Sequence, residues 1–332
     1  MVWIKRISKV LAVIVLSVVF FLILLFRNDI PAEEIEEKYA TSQSHFISVD
    51  GMNVHVRIMG EGEPIILLHG SFSSLHTWDA WQRELSPYFL TISVDFPGHG
   101  LTGPDEFKRY SLTDYSLLIL ELSEKLNLNK FHLAGNSMGG AVAMQVASSR
   151  PDKVYSLNLI DAAEAPKPIE SQNTKNSGGW IFKLAKNPIL SSILLKCTPK
   201  FLFGMNMKQV YADPDKITDQ SITRYYELML REGNRKATLD RLTGPRESRI
   251  DFDRLDMPTL ILWGKDDSWI PVSQGYALEK AISGSKLVVF DNAGHVPMEE
   301  IPTESVTKYL SFLGVEVRKD YFHEPQLMTY AD

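Results

Sequence analysis

The segment Phe131-His-Leu-Ala-Gly-Asn-Ser137-Met-Gly-Gly-Ala limits what this chain can fold into more than any other. An apolar run that reads as a strand meets a run that reads as a helix, with only Gly-x-Ser-x-Gly between them. So sharp a turn needs small residues, because the strand and helix backbones must come into contact. It lifts the serine hydroxyl out of the sheet and sets it at a helix N-terminus, where negative charge is favoured. This strand–turn–helix setting is what a nucleophile elbow requires. Taken alone, the pentapeptide fits a glycine-rich turn with an incidental serine equally well, so the partners decide.

Strand-like apolar runs recur along the chain at Ile65–Leu68, Thr91–Val94, Phe131–Ala134, Val154–Ile160, Thr259–Trp263 and Leu287–Phe290. Continuous apolar strands suit a parallel sheet covered on both faces. Amphipathic stretches such as Leu112–Leu126 and Met138–Ser149 lie between them, and the alternation predicts a mostly parallel, doubly wound α/β sheet. Ahead of it, Phe46–Val49, Asp50-Gly51 and Val54–Ile58 predict a β-hairpin. Between 163 and 254 the rhythm breaks. This stretch holds GGWIFKLAKNPILSSILLK, FLFGMNM and SITRYYELMLREG, which read as short helices. It predicts a helical cap over the strand C-termini, where open α/β sheets bind ligands. The expected core is 45–162 with 255–314, followed by a polar C-terminal tail at 315–332. The cap's Trp180, Phe201, Phe203, Met205, Met207, Tyr225, Tyr226 and Met229 are expected mostly to pack the cap itself.

The N-terminus differs from the rest. Val10–Phe26 carries no charge and, with a few flanking residues, is expected just to cross a hydrocarbon core of about 30 Å. Lys5, Arg6 and Lys9 precede it, and Asp29, Glu33, Glu34, Glu36 and Glu37 follow. The asymmetry predicts a cytoplasmic N-terminus and an extracytoplasmic catalytic domain, periplasmic in a Gram-negative cell. The run ends Leu-Leu-Phe-Arg-Asn-Asp with no Ala-x-Ala, so an uncleaved single-pass transmembrane helix over 1–27 is expected rather than a signal peptide. Residues 28–44 read as an acidic linker.

Composition excludes several other classes. The net charge of −6 leaves no basic footprint for nucleic acid. One cysteine, Cys197, permits no intramolecular disulfide. The eight histidines form no His-Glu-x-x-His, so no metal site is expected. Gly98-His-Gly100-Leu-Thr-Gly103 matches a dinucleotide fingerprint formally but runs into Pro104-Asp-Glu rather than an apolar helix, so no cofactor is expected.

A serine alcohol needs a base, and the base needs an orienting acid. Late in the chain, Thr259–Trp263 runs into Gly264-Lys-Asp-Asp267, and Leu287–Phe290 runs into Asp291-Asn-Ala-Gly294-His295. Both candidates follow strand ends, in the order serine, aspartate, histidine. His295 would take the proton of Ser137, and Asp267 would hold its tautomer. The bland readings are a surface-loop histidine and a helix N-cap aspartate. Asp266, adjacent, and Asp161, at the end of the preceding strand, compete for the acid's place. Two backbone amides should hold the oxyanion, those of Met138 and of Ser71 in His69-Gly70-Ser71-Phe72. His69 precedes the serine and is expected to shape that loop.

Leu67-Leu-His-Gly, Asp95-Phe-Pro-Gly-His-Gly, Gly135-Asn-Ser-Met-Gly-Gly, Trp263-Gly-Lys-Asp-Asp and Ala293-Gly-His together resemble the α/β-hydrolase superfamily, across about 45–314. The resemblance implies the α/β-hydrolase fold, with the acid three residues past the glycine of Trp-Gly, which points to Asp267. It implies a structural role for Asp95. A serine nucleophile sets the chain apart from the aspartate-using dehalogenases and epoxide hydrolases. The elbow is similar to that of meta-cleavage-product C–C hydrolases, but those carry tryptophan after the histidine, where this chain has Val296. The expected activity is hydrolysis of a small carboxylic ester with an apolar part. C–C bond hydrolysis and ligand binding without catalysis on the same fold are the alternatives.

Overall fold

The computed structural model describes residues 2–166, 191, 195–245 and 248–316. The expected tail beyond 316 and Trp180 lie outside the described residues. The hairpin pairs β1 (Ser44–Val49) with β2 (Met52–Met59) in antiparallel register. Asp50 and Gly51 both turn with positive φ, at 45° and 82°, the geometry that lets a two-residue turn follow the strand twist. The remaining strands are β3 (Pro64–Leu68), β4 (Leu90–Val94), β5 (Phe131–Asn136), β6 (Val154–Ile160), β7 (Thr259–Gly264) and β8 (Lys286–Phe290). They form one eight-stranded sheet in the order β1-β2-β4-β3-β5-β6-β7-β8. Pairing is parallel from β4 through β8, and β2 joins β4 antiparallel.

Helices cover both faces, which explains the continuous apolar strands. In β3, Ile66 and Leu68 face a core with Ile119 and Leu122 of the helix Leu112–Lys125 and Val142 of the helix Met138–Ser149. Ile65 and Leu67 face the opposite core, with Trp81 and Leu85 of Asp79–Leu85 and Tyr309 and Leu310 of Pro302–Phe312. The Leu112–Lys125 helix starts where it does because Ser111 and Asp114 form a capping box. Between β6 and β7 the described part of the insertion contributes the helices Lys200–Lys208, Asp219–Leu230 and Asn234–Thr243.

The N-terminal expectation needs correction. A helix does form over Val2–Leu25, 24 residues long, but it includes Lys5, Arg6 and Lys9. Its charge-free portion, Val10–Leu25, rises only about 24 Å at about 1.5 Å per residue, against a hydrocarbon core of about 30 Å. Among the described residues no helix is long and apolar enough to cross a membrane. The transmembrane anchor, the membrane as partner and the extracytoplasmic location derived from it are therefore not supported. The end of this helix is tied to the folded domain instead: Arg27 N donates to Lys196 O at 2.7 Å, and Cys197 Sγ lies 3.7 Å from Leu22 O. Asp29 then pairs with Lys196 and Arg235 at 2.6 and 2.5 Å. A short helix, Ala32–Tyr39, buries Ile35 and Tyr39 against Leu101 and Leu228.

Candidate active site

β5 ends at Asn136 and the next helix begins at Met138, so Ser137 makes the turn alone. It does so at φ 52°, ψ −118°, a conformation that persists only where its surroundings enforce it. Ser137 N donates to Ile160 O at 3.0 Å, and Ser137 O accepts from the amides of Gly140, Ala141 and Ala163. A side chain on Gly135 would overlap Gly139 O, and one on Gly139 would overlap Leu68 O. The motif's glycines are thus the points where strand, helix and the neighbouring β3 touch.

Asp267 and His295 follow the carboxyl ends of β7 and β8, on the same sheet edge. His295 Nδ1 lies 2.7 Å from Asp267 Oδ2, and both side chains are buried. The other Asp267 oxygen accepts from Trp269 N and Ile270 N at 2.7 and 3.0 Å, so three hydrogen bonds fix this carboxylate. With Nδ1 donating to Asp267, the neutral imidazole keeps Nε2 as its acceptor. The two loops meet at Gly264, where a side chain would overlap the carbonyls of Ala293 and Gly294.

Several residues that sequence reasoning missed hold this geometry. Asn136 Nδ2 donates to Ile160 O at 3.1 Å and to His295 O at 3.0 Å, linking the residue before the serine to the histidine's own backbone. Its signal was in plain view as the variable position of Gly-x-Ser-x-Gly. Glu300, buried, accepts from Gly294 N, Ala212 N and Asp213 N at 2.7, 3.1 and 2.8 Å. His295 N donates to Val210 O at 2.8 Å. The histidine loop is thereby fastened to the insertion. Trp269 stacks on the His295 ring, with centroids 5.6 Å apart.

The competing acids sit differently. Asp266 is exposed and makes a backbone contact, its amide donating to Ala293 O at 3.1 Å. Asp161, fully buried, accepts from Gly264 N at 2.9 Å. Burial, then the charge of Asp267, raises its carboxyl well above the usual carboxylate range. One donor atom each from Asp161, Asp267 and His295 lies within 4.8 Å of the others, but the direct 2.7 Å contact between His295 and Asp267 leaves no room for an ion between them.

Ser71 and Met138 converge: Ser71 Oγ lies 3.5 Å from Met138 Sδ. Both line a cavity of about 270 Å³ together with Tyr110, Leu112, Ala163 and Arg241. Met138 opens its helix, and the first amides of a helix have no partner within it. His69 lies in the framework of that loop. Its Nδ1 is 2.7 Å from Gly70 O, and its Nε2 accepts from Phe96 N at 3.1 Å. Burial lowers its pKa, so the ring is neutral. Of the insertion's aromatic and methionine side chains, Met207, Tyr225 and Tyr226 are buried, whereas Phe201 and Met205 are each 61% exposed.

A family model described as "alpha/beta hydrolase fold" matches residues 63–302. The chain is similar, at 30% identity over 258 residues, to a dihydrolipoyllysine-residue acetyltransferase component of an acetoin cleaving system from Pseudomonas putida; the match covers 76% of this chain and 64% of that one. It is 28% identical to a 2-hydroxy-6-oxononadienedioate/2-hydroxy-6-oxononatrienedioate hydrolase from Pseudomonas putida, over 74% of this chain and 86% of the relative. A monoacylglycerol lipase of Mus musculus is also 28% identical, over 77% and 76%.

Proposed function

We propose that this chain, which belongs to the α/β-hydrolase family through the match across residues 63–302, is a serine hydrolase that cleaves carboxylic esters through an acyl-enzyme on Ser137. The observation that carries the reading is the 2.7 Å His295–Asp267 pair, held through Asn136 to the end of the strand that precedes the strained Ser137. In the first step the Ser137 hydroxyl adds to the ester carbonyl while His295 Nε2 takes its proton, and Asp267 stabilises the resulting imidazolium. The amides of Ser71 and Met138 donate to the tetrahedral oxyanion, whose charge the helix N-terminus also favours. Collapse breaks the bond to the alkoxy group, which leaves as alcohol with the proton from His295. Water then repeats the sequence on the acyl-enzyme, releasing the acid and restoring Ser137. The cavity of about 270 Å³ beside Ser71 and Met138 receives the apolar part of a small substrate.

The test is labelling by a fluorophosphonate probe and turnover of a short p-nitrophenyl ester. Labelling of the wild type that is lost in Ser137→Ala supports the reading; a folded, unlabelled wild type overturns it. C–C bond hydrolysis is the second reading, favoured by the relative named as a 2-hydroxy-6-oxononadienedioate hydrolase. A panel of esters and vinylogous 1,5-diketone acids separates the two by the ratio of kcat/KM.

A further inference from the structure

Asp161 occupies the end of β6, between the elements that carry Ser137 and Asp267. Its backbone is held tightly: the amide donates to Leu262 O at 3.0 Å and φ is 44°. Its side chain is wholly buried. Oδ1 accepts from Gly264 N at 2.9 Å, while Oδ2 is a buried oxygen with no hydrogen-bond partner as an acceptor. An oxygen of Asp161, an oxygen of Asp267 and a ring nitrogen of His295 all lie within 4.8 Å of one another, and the Asp267 carboxyl is within hydrogen-bonding reach of the Asp161 side chain.

Two adjoining carboxyl groups in a dry interior do not both carry charge. Which one is ionised follows from the donors around it. Asp267 receives three, from His295, Trp269 N and Ile270 N. Asp161 receives one, from Gly264 N. The charge therefore belongs on Asp267 and the proton on Asp161, where it gives the carboxyl a donor that its neighbour can accept. We infer that Asp161 is a positioning residue of this site, a buried neutral carboxylic acid that donates a hydrogen bond to Asp267 and fixes the orientation of the acid behind His295. The serine, histidine and aspartate are thus extended to a chain of four groups. This role rests on the hydrolase reading, but the protonation of Asp161 does not.

Asparagine matches the neutral acid in shape and in the two contacts that matter: its oxygen accepts from Gly264 N and its NH₂ donates to Asp267. Alanine provides neither. With a p-nitrophenyl ester, D161N is expected to keep kcat within about threefold of wild type. D161A is expected to lose about 10- to 100-fold in kcat, the worth of one hydrogen bond to a charged group, at unchanged KM. An infrared difference spectrum, wild type minus D161N at neutral pH, is expected to show the C=O stretch of a protonated carboxyl. Thermal melts of both variants establish that they fold. An asparagine variant as impaired as the alanine variant, or the absence of the protonated-carboxyl band, would overturn the inference. Should the wild type turn over no substrate, the hydrolase reading fails while the infrared band still decides the state of Asp161.

Discussion

At the antiparallel end of the sheet, Ser44 Oγ lies 2.9 Å from His55 Nε2, and His55 Nδ1 lies 2.7 Å from Asp95 Oδ2. At the carboxyl edge, His295 Nδ1 lies at the same 2.7 Å from Asp267 Oδ2, and the backbone carbonyl of His295 accepts from Asn136, the residue before Ser137. The side chains are the same three types; the backbones differ. Ser44 opens a strand of the hairpin, and its hydroxyl already accepts from Thr41 N at 3.0 Å. Phe46 covers the His55 ring at 5.1 Å. Asp95 also accepts from Leu75 N and Leu101 N at 2.7 and 2.8 Å, fastening two loops to the sheet. Ser137, by contrast, stands at a strained turn on a helix N-terminus, with the Met138 amide and a cavity next to it. A hydrogen-bonded row of serine, histidine and aspartate is therefore a packing device wherever its groups satisfy one another. In the proposed reading, Ser137, His295 and Asp267 instead serve chemistry, because Ser137 stands on a helix N-terminus whose first residue lines a cavity.

The largest expected effect separates the two rows directly. Ser137→Ala should lower ester kcat/KM by roughly 10⁵- to 10⁶-fold, the scale of removing such a nucleophile, whereas Ser44→Ala should stay within about twofold. Comparable losses in both variants would erase the distinction. The histidines should divide in turnover and not in stability. His55→Ala strands the buried Asp95 carboxylate, and breaking one partner of a buried pair costs about 3–5 kcal/mol; denaturant titration should register it. His295→Ala leaves the equally buried Asp267 without its partner and should lower the unfolding midpoint comparably, but it alone of the two should abolish turnover.

The difference between the rows also explains what the sequence made legible. Glycines forced by close backbone approach at 135 and 139, and the order of Ser137, Asp267 and His295 after apolar runs, are local signals that survive without a structure. The β-strands form where continuous apolar runs predict them because both faces of the sheet are covered. Asn136, Glu300 and Trp269 were not legible as neighbours of the candidate site, and Asp161 was legible only as a rival for the acid's place. Their partners are backbone groups or rings brought together by the sheet order, and Asn136 reaches His295 across 159 residues of chain. The N-terminal run does not make an anchor because the helix that forms spends its first turns on a stretch holding Lys5, Arg6 and Lys9, which leaves its charge-free part shorter than a hydrocarbon core of about 30 Å.

Acid should act on the Asp95 corner as well. His76, beside it, is lowered to about 3 by burial and by the neighbouring Arg224. Its folded pKa is below its unfolded value of 6.5, so the unfolded chain binds the proton first. Stability present above about pH 6.5 is then lost progressively as pH falls toward 3. Unfolding midpoints across pH 8 to 4 should decline, and His76→Gln should flatten that slope; an unchanged slope would remove His76 as the cause.

The smallest effect is predicted where the carboxyl edge borrows the strategy of the Asp95 corner. Glu300 is, like Asp95, a buried carboxylate that spends its lone pairs on backbone amides, those of Gly294, Ala212 and Asp213. A glutamine there keeps one acceptor oxygen and turns an NH₂ toward at least one of those amides, leaving it unpaired at a cost of about 1–3 kcal/mol. Because Gly294 precedes His295, the loosened loop should lower kcat a few-fold as well as the unfolding midpoint, with KM little changed. Glu300→Gln should therefore lower both readouts modestly and together, with turnover retained. If only stability falls, Glu300 belongs with Asp95 as a purely structural clamp, and the histidine loop owes its position to Asn136 and Val210 alone.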